Sequence, residues 1–523
     1  MKMKKYILIV ALLFLVNQLS AEVKPASPFV DHMVLQQKQT VPVWGWANPG
    51  EQVSVQFTDQ QVSTTADKDG NWKVNLSPLK AGGPFELVIK GENTITIKDV
   101  YVGEVWLCSG QSNMDMTVAR EDRYWCGVFN EKEEVANAKY PKIRVFDTAF
   151  TPRDEPQKAV EGKWELVSPE TVGHMSAAAY FFARDLYKKY KVPIGLITTA
   201  YGASTAEAWI SNSALSAHPD LQWLIDNYVQ KKANFHPTLE QMEKYHTVYE
   251  KYLVDAAKAK VEGKDELRAP KNHDPRVDQH NPSVLYNGMV APLIPYGIRG
   301  AIWYQGESNG NSANQYGEIM EVLIKDWRSR WGEGQFPFFY VQLANHNKLV
   351  TAPIKNDPMV LVREGQLQNL SIPNTGMAVA IDNADPNNPK NIHPKNKQEI
   401  GRRLALIAKA KVYSEDIPYS GPIYDYYLIN GNQIEIHFKH VDGGLDAHGD
   451  KLKGFAICGP DKKFVHGDAK IEGDHIVVTS PEVANPVAVR YGWAVNPDVN
   501  LYNKAGLPAS PFCTDIVAAL SEE

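Results

Sequence analysis

Four short segments of the 523-residue chain carry side chains suited to acyl transfer through a nucleophile. The first is Val105-Trp106-Leu107-Cys108-Ser109-Gly110-Gln111-Ser112-Asn113-Met114. Ser112 stands just past an apolar run. Gly110 allows a sharp turn before it, and a helix starting there aims its free N–H groups at a reacting oxygen. A serine after a strand also serves as an ordinary helix cap, so this segment alone says little. The second segment, Thr198-Thr199-Ala200-Tyr201-Gly202-Ala203-Ser204, offers the backbone N–H of Gly202 to an oxyanion, or simply a turn. The third, Trp303-Tyr304-Gln305-Gly306-Glu307-Ser308-Asn309, gathers amide and carboxyl side chains after an apolar strand. A buried Glu307 there has to be hydrogen-bonded into a polar network. The fourth, Asn391-Ile392-His393-Pro394, supplies a base candidate, His393. A nucleophile needs an exposed position, a base within hydrogen-bond reach and donors for the oxyanion, and these segments offer a candidate for each role.

The elements that must hold these residues follow from the apolar patterning. Residues 22–98 alternate at period two with Gly, Asn and Pro turns, as in Val53-Ser54-Val55-Gln56-Phe57 and Trp72-Lys73-Val74-Asn75-Leu76, which predicts an N-terminal β-sandwich domain. The pattern changes after Asp99: Val100–Leu107 reads as a strand buried on both faces. Strands at 194–198, 300–304, 336–343 and 377–381 alternate with helices at 176–190 and one ending near Arg330. This predicts an α/β domain with a mostly parallel sheet over 99–415, broken by a helical insertion at about 211–271. The β pattern returns in 416–523, giving a C-terminal β-rich domain. In open α/β sheets ligands bind beyond the carboxyl ends of the strands, where Ser112 and His393 both fall.

Composition narrows the function classes. Hydrophobic residues make up 43% and charged residues 22%, with a formal net charge of −6 and no long basic run. A nucleic-acid partner is therefore not expected. Lys2, Lys4 and Lys5, the apolar run Ile7–Val16 and Leu19-Ser20-Ala21 follow the order of a signal peptide over residues 1–21. The expectation is an exported protein, periplasmic or extracellular, with no integral membrane segment after signal cleavage. The pairing of Cys108, Cys126, Cys458 and Cys513 stays open, and no CxxC or His/Cys cluster suggests a metal.

Taken in order, the four segments resemble the SGNH (GDSL-like) hydrolase superfamily, and within it the sialate O-acetylesterase family. The residues that carry the resemblance are Gly110-Gln111-Ser112-Asn113-Met114, Trp303-Tyr304-Gln305-Gly306-Glu307 and Ile392-His393-Pro394, with Tyr286-Asn287-Gly288-Met289 and Arg490-Tyr491-Gly492-Trp493 beside them. The resemblance implies a three-layer α/β/α hydrolase domain flanked by β domains. It implies Ser112 as nucleophile and His393 as general base, with an oxyanion hole from Ser112, Gly202 and a side chain of the third segment, Gln305 favoured over Asn309. No cofactor is implied, and the substrate is an acetylated sugar or polysaccharide.

One position departs from the family pattern. The orienting acid lies three residues before the histidine in the superfamily and two before it in many relatives, but here those places hold Lys390 and Asn391. A backbone carbonyl, Asn391, Asp382 or Asp385 could orient His393 instead, with Glu307 and Asn309 as further polar support. Two other readings compete with an O-acetylesterase. One is a catalytically weak or inactive carbohydrate-binding protein on the same scaffold. The other is a glycosidase using Glu307, which needs a second carboxylate in the same cleft. Neither the sugar nor the oligomeric state follows from the residues.

Overall fold

In the computed structural model, residues 22–515 are described, apart from 122, 265–266 and 354–355. The expected leader at residues 1–21 lies outside the described residues. Period-two alternation puts one face of each N-terminal strand inward: Gln52–Phe57 buries Val53, Val55 and Phe57. Lys24–Pro25, Val41–Trp46 and Asn71–Leu76 form one sheet. Gln52–Phe57 pairs with Gln60–Thr65 and with Gly82–Lys90 in another.

That second sheet continues into the α/β layer. Gly82–Lys90 pairs antiparallel with strand β1 (Thr94–Gly110), whose later half lies between parallel neighbours. The patterning suggests a strand that begins only after Asp99, at 100–107, but the structure has one of 17 residues that starts at Thr94. Asp99, at φ 55°, lies within it, with His32 and Arg144 binding its carboxylate at 2.7 and 2.9 Å. The expected boundary between residues 98 and 99 therefore falls inside a continuous strand.

The remaining strands of the layer are β2 (Tyr140–Thr148), β3 (Gly162–Val167), β4 (Ile194–Ala200), β5 (Gly300–Tyr304), β6 (Phe338–Gln342) and β7 (Thr375–Val379). Their order is β3-β2-β4-β1-β5-β6-β7, and every pair is parallel except β3 with β2. The helices that matter for the site are α1 (Ser112–Asp115), α2 (Ala177–Tyr190), α3 (Tyr316–Trp331), α4 (Pro358–Gln368) and α5 (Lys397–Lys411). Neighbouring residues of β6 show that both faces are covered. Phe338 packs on Trp327 of α3, 5.9 Å between rings. Phe339 meets Trp106 of β1, which in turn meets Phe182 of α2. Strands covered on both faces can be apolar throughout, and β4, β5, β6 and β7 have every residue buried.

The insertion contains helices Gln222–Ala233 and Leu239–Val261. Beyond α5, antiparallel sheets form a C-terminal β region with its own apolar cluster around Ile434, Ile457, Ile476 and Val489. Buried Arg363 of α4 ties that region to the layer. Its guanidinium donates to the carbonyls of Leu343, Ala344, Ala494 and Val495 at 2.7 to 2.9 Å. The result is a mixed α/β fold with one large mixed sheet and further β structure at both ends, as the patterning predicts. All four cysteines are buried free thiols. Among the described residues, no helix is long and apolar enough to cross a membrane.

Candidate active site

The site lies at the carboxyl ends of the parallel strands. At the end of β1 the chain turns at Gly110, φ 143°, where a Cβ would fall 2.2 Å from the carbonyl oxygen of Tyr304 in β5. Only glycine allows the two strand ends this approach. The turn starts α1 at Ser112, which is partly exposed while Asn113 and Met114 behind it are buried. The loop after β4 brings Gly202 across from the same serine: a Cβ built on Gly202 would lie 3.9 Å from Ser112 Cβ. Neither the Ser112 N–H nor the Gly202 N–H donates to a described residue.

His393 arrives from the loop between β7 and α5. Its Nε2 lies 2.8 Å from Ser112 Oγ, so two segments 281 residues apart meet in one hydrogen bond. The ring rests on Trp125, 4.8 Å between centroids. Burial, with the Lys397 charge adding to it, lowers the imidazole pKa to about 3. The ring is therefore neutral at neutral pH and able to accept a proton through Nε2.

The acid candidates are all engaged elsewhere. Asp382 receives two hydrogen bonds from Arg403, at 2.7 and 2.8 Å, and one from the Tyr502 hydroxyl. Asp385 accepts from the Asn387 N–H. Asn391 bonds the backbone of His393, accepting from its N–H at 3.0 Å and donating to its carbonyl at 2.8 Å, and it does not touch the ring. Among the described residues, no carboxylate, amide or carbonyl bonds Nδ1 of His393. The expectation that one of these groups holds the imidazole is corrected accordingly.

The third segment also differs from expectation. Gln305 is fully buried and has no donor to spare. Its Nε2 donates to the Ser204 carbonyl and to Asn309 Oδ1, while its Oε1 accepts from the Tyr316 hydroxyl. Asn309 is equally committed, donating to Glu207 and Ser312 and accepting from the Ala206 N–H. Both amides brace the loop that carries Gly202. Glu307 accepts from Asn113 Nδ2 at 2.5 Å, and its other oxygen is buried with no partner among the described residues. Burial raises its pKa.

Four neighbours escape a reading of the residues alone. Gln111 Oε1 accepts from the N–H groups of Gly306 and Ser308, leaving its amide N–H groups free of any described partner. Asn113 Nδ2 donates to the Ile392 carbonyl at 3.0 Å as well as to Glu307. Lys397, wholly buried at the start of α5, donates to Asn113 Oδ1 at 2.8 Å and to the Pro394 carbonyl at 2.7 Å. Burial lowers its pKa to about 7. Trp125 is the fourth. Gln111 and Asn113 flank the serine in its own motif and carried that much signal, whereas nothing in the local pattern marks Lys397 or Trp125.

Two other groups of side chains converge among the described residues, His437–Asp474–His475 and His218–Asp220–Glu318, with ligand atoms within 4.8 Å of one another. Neither includes a residue named above.

Comparison with known proteins adds to this geometry. A family model described as carbohydrate esterase, sialic acid-specific acetylesterase, matches residues 102–241 and 278–409, which hold all four segments. The sialate O-acetylesterase of Homo sapiens is 32% identical over 533 residues, covering 93% of this chain and 91% of its own. That of Mus musculus is 29% identical over 536 residues, covering 94% of each. Among solved structures, a carbohydrate acetylesterase from Xanthomonas citri superposes with a TM-score of 0.77 at 33% identity. That match covers 94% of this chain and 99% of the other.

Proposed function

Because the chain belongs to the sialic acid-specific acetylesterase family of carbohydrate esterases, we propose that it removes O-acetyl groups from sugars through an acetyl-enzyme on Ser112. The observation that carries this mechanism is the 2.8 Å contact between Ser112 Oγ and His393 Nε2. His393 takes the Oγ proton as the serine attacks the acetyl carbonyl. The developing oxyanion is bound by the N–H groups of Ser112 and Gly202. The Gln111 amide is the third donor in this reading, since no described residue takes up its N–H groups. The C–O bond to the sugar then breaks, and the sugar oxygen leaves with the proton from His393. Water, deprotonated by the same ring, attacks the acetyl carbon, releasing acetate and restoring the Ser112 hydroxyl.

Three finer readings accompany this one. The α/β layer is of SGNH type, supported by helices on both faces and by the four segments at the strand ends. The protein is exported, supported by the charged, apolar and small-residue order of residues 1–21. The substrate class is acetylated glycans, with O-acetylated sialic acid the first to try, as the family description and the relatives' names suggest.

The test is acetate release from O-acetylated sialic acid, xylan and pectin by the wild type, Ser112→Ala and His393→Ala. Both variants should lose activity by roughly 10³-fold or more. Unchanged turnover in Ser112→Ala would overturn the mechanism. Saturable glycan binding with no hydrolysis by the wild type would favour a binding protein on an esterase scaffold.

A further inference from the structure

We propose that Asn113 and Lys397 are positioning residues that hold His393 in register with Ser112, replacing the acid that would otherwise grip the imidazole. The proposal rests on the Ser112–His393 reading above. A catalytic histidine has to be held in one orientation and one tautomer. Here Nδ1 has no partner among the described residues, so the hold has to come from elsewhere.

It comes from the main chain on both sides of the ring. The carbonyl before His393, that of Ile392, accepts from Asn113 Nδ2 at 3.0 Å. The carbonyl after it, that of Pro394, accepts from Lys397 Nζ at 2.7 Å. The two gripping side chains are joined to each other, Lys397 Nζ donating to Asn113 Oδ1 at 2.8 Å. Asn113 directly follows Ser112 in α1, so the group that holds the base loop belongs to the nucleophile's own turn. The main chain that carries His393 is thus tied to the nucleophile's own turn by a closed ring of short bonds.

The polarity of the ring is also fixed. The Asn113 amide nitrogen faces Glu307 Oε1 at 2.5 Å and its oxygen faces the lysine, so a flipped amide would oppose donor to donor. Burying an ammonium group is costly, and an apolar side chain at position 397 would serve packing better. A lysine enclosed there is explained if it has a task at the site.

Electrostatics agree with the geometry. Among the described residues, the charged groups near His393 include Lys397 from α5, Glu307 beyond Asn113, and the Asp115–Arg123 pair, whose guanidinium lies over Trp125. Cys126 lies near Lys397. Burial is the main cause that holds the imidazole neutral, and of these charges the lysine adds to it. Losing that charge makes His393 a stronger base, so a fall in turnover despite a stronger base would be the mark of lost positioning.

The experiment compares the wild type, Lys397→Met, Asn113→Ala and the double variant on one O-acetylated sugar, with Ser112→Ala as control and thermal melts alongside. Each single variant should lose kcat by about 10²-fold, as expected for a misplaced catalytic group, with KM within about twofold. The double variant should lose little more than the worse single one, because both break one ring. In Lys397→Met the acid limb of the kcat/KM profile should also move to higher pH. Wild-type kcat in Asn113→Ala, losses that multiply in the double variant, or a change confined to KM would each overturn the proposal. If Lys397→Met does not fold, Asn113→Ala decides alone by its kcat. Turnover that survives in Ser112→Ala removes the underlying mechanism. An inactive Ser112→Ala beside fully active clamp variants removes only the clamp.

Discussion

A histidine whose pKa is lowered to about 3 by burial and a nearby lysine gives an unusual pH dependence. A general base works only when unprotonated, so activity is lost as pH falls through the folded-state value and not through the 6.5 of a free imidazole. We expect kcat/KM for acetate release to be flat from neutrality down to about pH 5. A pH–rate profile checks this, and an acid limb near pH 6.5 would contradict it. At this scale the sequence was legible wherever chemistry is local. Ser112, Gly202 and His393 each lie at a turn or strand end that is ambiguous alone; the resemblance carried by the segments taken in order singles them out, and the fold brings all three together. The bond between Asn113 and Lys397 spans 284 residues, and no local pattern encodes a partner that far away. Gln305 misled for a related reason. Its residue type suits an oxyanion donor, but whether its N–H groups are free depends on Ser204 and Asn309, which fold around it from elsewhere.

At the scale of elements, the loop after β4 is shaped by what lies beneath it. Gln305, at the end of β5, bonds the Ser204 carbonyl and the Tyr316 hydroxyl, joining that loop to α3. Gln305→Leu would strand these groups in a buried setting, costing roughly 2 kcal/mol of stability. The expected result is a lower melting temperature with a smaller loss of kcat than removal of a direct oxyanion donor gives, about 10²–10³-fold. Melts and kinetics on the same preparation separate the two: a loss of that size at an unchanged melting temperature would return Gln305 to the oxyanion hole. Elements themselves were read well where an apolar run fills a strand, as in β4 and β5. They were read poorly at Asp99, where one residue of left-handed backbone looks like a strand end but lies inside β1.

For the whole molecule, the β-rich N-terminal part and the α/β layer share the strand β1 and buried polar contacts. Buried Arg144 of β2 bonds the carbonyls of His32 and Asp99, at 3.0 and 2.6 Å. Glu104 of β1 pairs with Arg299 and accepts from Gln37. Deleting residues 22–98 removes the His32 and Gln37 partners and cuts β1 mid-strand. We expect the truncated chain to give far less folded protein than the intact one produced beside it. Soluble, active protein starting at residue 99, seen by gel filtration and acetate release, would show the two parts to be independent.

The same strand imposes an order in time. The first half of β1 pairs antiparallel with Gly82–Lys90, its neighbour in the chain, so this contact is a local one that can form early. The second half, with Val105, Trp106 and Leu107, waits for Ile194–Ala200 and then for Gly300–Tyr304. Nearly two hundred residues are synthesised while this apolar half-strand has an open edge, about ten seconds or more at ordinary elongation rates. An unpaired apolar edge is a template for aggregation. We expect the unfolded chain to be most prone to aggregate at the very segment that ends in Ser112, and a holding chaperone to have its strongest effect on yield before the partner strands are available.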